Sequence, residues 1–358
     1  ILSLFSCGKK KSSSSSPATS SSQASCTPNR AAEFKSNDNQ KVIPKEIKSG
    51  VTDFLGTNTT LTALSFVSGV TPTRVPLLVV RVQYSNVTFQ SNEATWANKI
   101  FGTGNGQLNE FLDETTYGKY QFNPVNESSG TSNNGVVTVT ISENHPDTQG
   151  NSWTSHAYKA IKEADSSVNF AAYDNNSNGK LSVSELQVIF LVAGGESATG
   201  NNNPGGVWAM ASSLYFDGNG DGLVDASTAC TSSSSSQECN GVTLDSVSLL
   251  GLTSTGQNGF SQFGERQGSS SNSHDATIGV IAHELGHAYF DLPDLYCTSG
   301  VCEGIGNFGL MGAGSWGLKS SSEKAGETPV HFSAWSKENL SVCVPQTVGG
   351  GTNNLTLP

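Results

Sequence analysis

Basic side chains are scarce in this chain. Lys and Arg number 19 against 30 Asp and Glu, a formal net charge of −11, and charged residues make up only 14% of the sequence. A protein that neutralises phosphates needs the opposite balance, so nucleic acid is excluded as a partner. Long apolar runs are missing as well. No stretch approaches the roughly 20 residues that a membrane-spanning helix requires. What is plentiful is Gly, Ser and Asn, with 39 glycines, a composition that fits a loop-rich protein working outside the cytoplasm. With 358 residues and 35% hydrophobic content, the chain still buries a substantial core. It reads as a monomer with one main domain of two lobes.

The N-terminal residues carry an address. Residues 1–7, Ile-Leu-Ser-Leu-Phe-Ser-Cys, form the end of an apolar segment closing on a small residue and a cysteine. They resemble the processing site of a bacterial lipoprotein signal, with Cys7 as the acylated residue and the start of the signal lying ahead of Ile1. Residues 8–40 are a Ser-rich flexible tether that opens on Lys9-Lys10-Lys11 and holds no core-forming pattern. Residues 41–74 form an N-terminal extension, 75–345 the main domain and 346–358 a Gly/Thr/Asn-rich tail. The expected setting is the bacterial cell envelope, through a lipid anchor or by secretion. Six further cysteines suit export. Six allow 15 pairings; proximity favours Cys230 with Cys239 and Cys297 with Cys302, which leaves Cys26 with Cys343.

The densest chemistry lies at His283-Glu284-Leu285-Gly286-His287. Residues i and i+4 share one face of a helix, so His283 and His287 can present ring nitrogens to a single zinc ion. Glu284 sits where it can take a proton from a metal-activated water. Ile278, Ile281, Leu285 and Tyr289 recur at helical spacing and predict an amphipathic helix. Asp275 or Ser273 is the expected N-cap and Pro293 the expected stop. The longer metzincin pattern is absent, because Phe290 and Pro293 stand where its Gly and third ligand would fall. Asp291, Asp294 and Glu303 are the acidic candidates for that third ligand. Glu303 is preferred and Asp294 is the alternative.

A second cation is expected upstream. Asp174, Asn176, Asn178, Lys180, Ser182 and Glu185 fall at EF-hand ligand positions, with Gly179 at the sharp turn. Asp217, Asn219, Asp221 and Asp225 repeat the pattern more weakly, because Thr228 occupies the place of the bidentate Glu. Structural calcium is the expectation for both loops.

The motif and its surroundings together resemble a known family. Ile281 through Gly317 includes the HExxH segment, Leu292-Pro293-Asp294-Leu295-Tyr296, Gly304-Ile305-Gly306-Asn307-Phe308-Gly309-Leu310-Met311 and Gly312-Ala313-Gly314-Ser315-Trp316. This run resembles the immune-inhibitor-A-type secreted zinc metallopeptidases. Weaker similarity covers Thr116-Tyr117-Gly118-Lys119, the stretch from Asn169 to Gly194, and Pro329 to Lys337. The chain departs from the family at three points: one residue more between His287 and Pro293, Asp291 where Gly is usual, and Cys297 in place of Asp. The resemblance implies proteolysis with Glu284 as base. It also implies a floor under the zinc ligands from Met311, and an oxyanion donor drawn from His331, Tyr296 or Tyr117.

Strands are predicted at Val75–Val82, Val136–Ile141 and Leu186–Val192. A helix face runs through Trp153, Ala157, Ala160, Ile161 and Ala164, and is expected to back the zinc helix. The fold class is α/β, in an α+β zincin-like form. It comprises a mixed twisted sheet, an active-site helix, a backing helix and a smaller loop-rich C-terminal lobe. The leading functional reading is a zinc endopeptidase acting on protein or peptide substrates. The alternatives are an inactive surface-binding lipoprotein of the same fold and a zinc hydrolase of a non-peptide bond.

Overall fold

The computed structural model describes residues 72–148, 153–214, 241–251, 259–269, 271–297 and 304–343. Cys7, the tether, Cys26, the loop at 217–225, Cys230, Cys239, Cys302, Glu303 and the tail all lie outside these residues.

The chain begins with a long strand, β1 (Thr73–Tyr84), then two helices, α1 (Glu93–Phe101) and α2 (Leu108–Thr115), and strands β2 (Tyr120–Pro124) and β3 (Val136–Ile141). Helix α3 (Thr154–Ala164) leads to β4 (Gln187–Glu196), β5 (Gly206–Val207) and β6 (Met210–Ser212). A small hairpin, β7 (Val242–Leu244) with β8 (Val247–Leu249), precedes β9 (Phe260–Gln267) and β10 (His274–Asp275). Helices α4 (Ile278–Ala288) and α5 (Ala334–Asn339) complete the order. The segment between these two helices holds short 3₁₀ turns at Gly306–Phe308 and Ala313–Trp316, the loop-rich lobe the composition suggested.

An eight-stranded mixed sheet, mostly parallel, organises the domain in the order β10-β9-β4-β1-β2. Strand β1 pairs β2 with its first half and β3 with its second, both in parallel. Strand β6 pairs β9 antiparallel at the outer side. All ten residues of β4 are buried, as a central parallel strand covered on both faces requires. This is the α/β architecture that the sequence predicts, a mixed twisted sheet with helices on both faces.

Side chains alternate across the sheet and divide the core in two. Leu78, Val80 and Val82 of β1 point to one face, where Phe190 and the α3 residues Ala157, Ala160 and Ile161 cover them. Leu77 and Val79 point to the other face, joined by Trp96, Leu108, Leu112, Phe263, Ile281, Leu285 and Met311. Helix α3 therefore sits across the sheet from α4 and does not back it, contrary to the sequence expectation. Periodicity gave its buried stripe correctly, but which face of the sheet a stripe meets is a tertiary choice. The helix that packs beside α4 is α2.

Every residue of α4 is buried. Its N-cap is Thr277, not Asp275 or Ser273. Asp275 is instead paired with Arg266, and the Ser273 hydroxyl accepts from the same guanidinium. The Thr277 amide and hydroxyl both donate to Gln267 Oε1, and the hydroxyl also reaches Ala325 O. The helix ends at Ala288, five residues ahead of Pro293, because the chain unwinds earlier. Phe290 N bonds to Leu285 O, Leu292 N bonds to Gly286 O, and Asp291 adopts φ +55. That left-handed residue explains two departures from the family pattern together. The wide turn absorbs the additional residue, and Asp occupies a conformation that usually favours Gly.

Two glycines let neighbours reach the α4 backbone. A Cβ on Gly279 would lie 1.9 Å from Ser315 O, and one on Gly286 would lie 2.4 Å from Met311 Sδ. The first contact is with main chain and cannot yield by a rotamer change. Gly279→Ala is expected to destabilise the fold by about 1–3 kcal/mol, read as a lowered denaturation midpoint. An unchanged midpoint would mean that the 315–326 segment does not bear on α4.

Candidate metal centre

The geometry of α4 puts His283 and His287 one turn apart on one face, and their rings are fixed from behind. His283 Nδ1 donates to Leu310 O at 2.9 Å and His287 Nδ1 donates to Leu292 O at 2.6 Å. Each bond selects the tautomer that leaves Nε2 as the ligand atom. The two Nε2 atoms stand 3.2 Å apart, and Asp294 Oδ1 lies 3.2 Å from one and 3.3 Å from the other. Among the described residues this is the one group of three such side chains whose ligand atoms converge, and all three are buried. The structure thus brings together His283, His287 and Asp294. Glu303, preferred on sequence grounds, lies outside the described residues. A tetrahedral zinc with bonds of about 2.0–2.1 Å places neighbouring ligand atoms about 3.3–3.4 Å apart. The observed edges match that triangle, so the residues present fit the ion.

Glu284 is fully buried; its carboxylate oxygens meet no donor at good hydrogen-bond distance and angle among the described residues, and the nearby Ala211 amide of β6 favours its charge only weakly. A buried carboxylate without a good donor is costly. Its burial raises its pKa well above the ordinary value; His287 opposes the shift, while Asp294 and Glu196 add to it. Burial also weighs against a charged His287, but Asp294, by charge and hydrogen bond, lifts that imidazole to about 9. Burial opposes ionisation of Asp294 too, and the two histidines outweigh it and bring the carboxyl down to about 2.

Met311 packs fully buried against Gly286, between the two histidine turns, and its carbonyl accepts from Leu295 N. The Leu310–Met311 turn thus holds His283 through one carbonyl and the Asp294 loop through the next. Of the three candidate oxyanion donors, Tyr296 stands over the ligands, its ring 6.4 Å from that of His283 and inclined by 30°. His331 turns toward α2, with Nε2 3.3 Å from Glu114 Oε1 and its ring edge-on to Phe111. The Tyr117 hydroxyl accepts from Lys337 Nζ. Cys297 is disulfide-bonded, with its partner outside the described residues. Cys343 is a free thiol, so the expected Cys26–Cys343 bridge is not formed.

The calcium-type loop is folded around its side chains. Asp174 accepts from the Asn178 and Gly179 amides, Gly179 has φ +74, and Glu185 accepts from Ser182 and Asn176. Leu181 N bonds to Ser248 O, so the loop pairs as a strand where the motif places its eighth position.

Sequence reasoning missed Glu196. This fully buried carboxylate accepts three backbone amides, and burial raises it to about 7 against their pull. It missed Lys99 as well, whose ammonium donates to Ala276 O at 2.5 Å just before α4. Burial lowers this amine to about 8 although Asp275 and Glu327 favour its charge. Neither residue belongs to a motif.

The pKa shifts set a pH signature for protein stripped of metal by a chelator. The raised His287 contributes stability in full below about 6.5, and loses it as pH climbs through about 9. The lowered Asp294 contributes above about 3.8, and loses it as pH falls through about 2. The melting temperature of stripped protein should therefore fall between pH 6.5 and 9.5, more steeply than in Asp294→Asn. Zinc should reverse the trend by competing with the His287 proton. Equal slopes in both proteins would disprove the ion pair.

Residues 265–346 match the family model described as immune inhibitor A peptidase M6, catalytic domain. No curated protein matches the chain. The matched stretch contains α4, Asp294 and the Leu310–Met311 turn, and through it the chain is shown to be similar to the immune-inhibitor-A-type metallopeptidases.

Proposed function

We propose that this protein is a zinc-dependent endopeptidase that cleaves protein substrates outside the cytoplasm. The observation that carries the reading is the buried triangle of His283, His287 and Asp294 with the fully buried carboxylate of Glu284 beside it. His283 and His287 would hold zinc through Nε2, and Asp294 through Oδ1. Bound there, zinc supplies Lewis acidity, which acidifies water toward neutrality and polarises a carbonyl. Glu284 takes the proton of the attacking water and returns it to the departing amine. Its raised pKa suits a group that must hold that proton between the two steps. Tyr296, placed over His283, is the group best sited to donate to the oxyanion. Strand β6, which pairs only β9 among the described residues and packs on α4, offers an edge along which an extended peptide could lie.

The family resemblance and the composition support action outside the cytoplasm, and Cys7 would supply a lipid anchor. Among the described residues no helix is long and apolar enough to cross a membrane. The folded 174–185 loop supports a structural calcium site.

Purified protein is expected to cleave a denatured protein substrate. Glu284→Ala should lower that activity by about 10³-fold while zinc content stays unchanged. Retained cleavage would remove Glu284 from the chemistry. Absence of cleavage by both proteins would favour the binding lipoprotein or a non-peptide substrate. Calcium at about 1 mM should raise the melting temperature, and Glu185→Ala should abolish the rise. A calcium-independent melting temperature would remove that ion from the reading.

A further inference from the structure

Glu196 closes β4 in the interior, with no exposed surface. Its Oε1 accepts from Ala198 N at 2.9 Å and Ala209 N at 3.0 Å, and its Oε2 accepts from Gly264 N at 2.7 Å. Those amides belong to three segments: the turn that Glu196 begins, the stretch leading into β6, and β9. The site is a break in the sheet. Strands β4 and β9 pair in regular register as far as Val192 and slip by Gly195, and the Glu196 side chain takes the Gly264 amide where the ladder is interrupted. The approach is close: a Cβ on Gly264 would lie 2.4 Å from Gly195 O. One residue beyond Ala209, β6 starts its antiparallel run on β9, with Met210 opposite Gln262 and Ala211 opposite Ser261. That short strand packs on α4.

Three donors converging from three segments require a group that only accepts. A carboxylate satisfies them all, whereas a glutamine of the same shape must turn its own N–H toward one. Three residues of β6 are too few to fix its height through ladder bonds alone. The bond to Ala209 adds an anchor at the strand's start, and the bond to Gly264 ties that anchor to the neighbouring strand.

We propose that Glu196 is a positioning residue that sets β6 against α4, so that an extended peptide lying along β6 meets Glu284 in register. The inference rests on the peptidase reading and deepens it, because it assigns substrate alignment to a carboxylate remote from the metal ligands in sequence.

The test compares wild type with Glu196→Gln by amide hydrogen exchange and by kinetics on two peptides, one spanning several residues on both sides of the cut and one short. Losing one buried hydrogen bond should speed exchange at residues 209–212 about tenfold, with α4 amides unchanged. KM for the long peptide should rise about fivefold while KM for the short one stays as it was, and any change in kcat through the lost charge near Glu284 should be common to both peptides. Unchanged exchange at 209–212 overturns the proposal. So does a KM that rises equally for both peptides alongside a lowered melting temperature, since that marks a general structural role. If wild type cleaves neither peptide, the peptidase reading fails, and exchange at 209–212 still decides whether Glu196 fixes β6. Glu196→Asp, which keeps the charge but is too short to reach Gly264, provides the second variant if Glu196→Gln does not fold. Failure of both to fold overturns the proposal.

Discussion

Two hydrogen bonds determine what the site can be, those from His283 Nδ1 to Leu310 O and from His287 Nδ1 to Leu292 O. They fix the tautomer of each imidazole and aim both Nε2 atoms at one point. They also attach the histidines to carbonyls that lie outside α4, so the loop carrying Asp294 and the turn carrying Met311 must be in place before the rings can be. The triangle of ligand atoms depends as much on residues 292–311 as on the helix that names the motif. Such outer partners commonly govern metal sites.

The remainder of the domain holds α4 where those bonds can form. From below, Ile281 and Leu285 join Phe263, Leu191 and Met311 in the core on one face of the sheet. At its start, Lys99, Gln267 and Ala325 bind Ala276 and Thr277, the two residues ahead of its first turn. Glu265, buried in β9, accepts the amides of Gln90 and Ser91 and so ties the beginning of α1 to the strand that precedes α4. These are polar contacts inside a low-dielectric interior, where each satisfied group adds rigidity and each orphan would be expensive. Glu284 sits among these contacts, fully buried beside the two histidines.

Much of this was legible in the sequence. The histidine pair and its glutamate depend only on helical period, and strands β1, β3 and β4 announced themselves as β-branched runs between turns. The third ligand was less legible because acidic residues on an irregular loop have no period. Asp294 and Glu303 offer the same ligand chemistry, and among the described residues the fold brings Asp294 to the histidines. The partner of α4 was misplaced for a similar reason. A buried stripe on α3 says that something covers it, while the face of the sheet it meets is settled by alternation along β1. Glu196 was invisible because its partners are backbone amides, which every residue carries, and one of them lies 68 residues away.

Helix α4 has a glycine in its first turn and another between the histidines, and it spans 11 residues. A segment that short, with two poor helix formers, has little tendency to wind in isolation. Its shape is borrowed from the walls around it: Ser315 and Gly326 at one glycine, Met311 at the other. The ligand triangle consequently depends on those walls being in place, because the helix alone has little tendency to present it. A hydrolase built this way carries its own safeguard, since capacity to cut appears only once the body that confines it is complete.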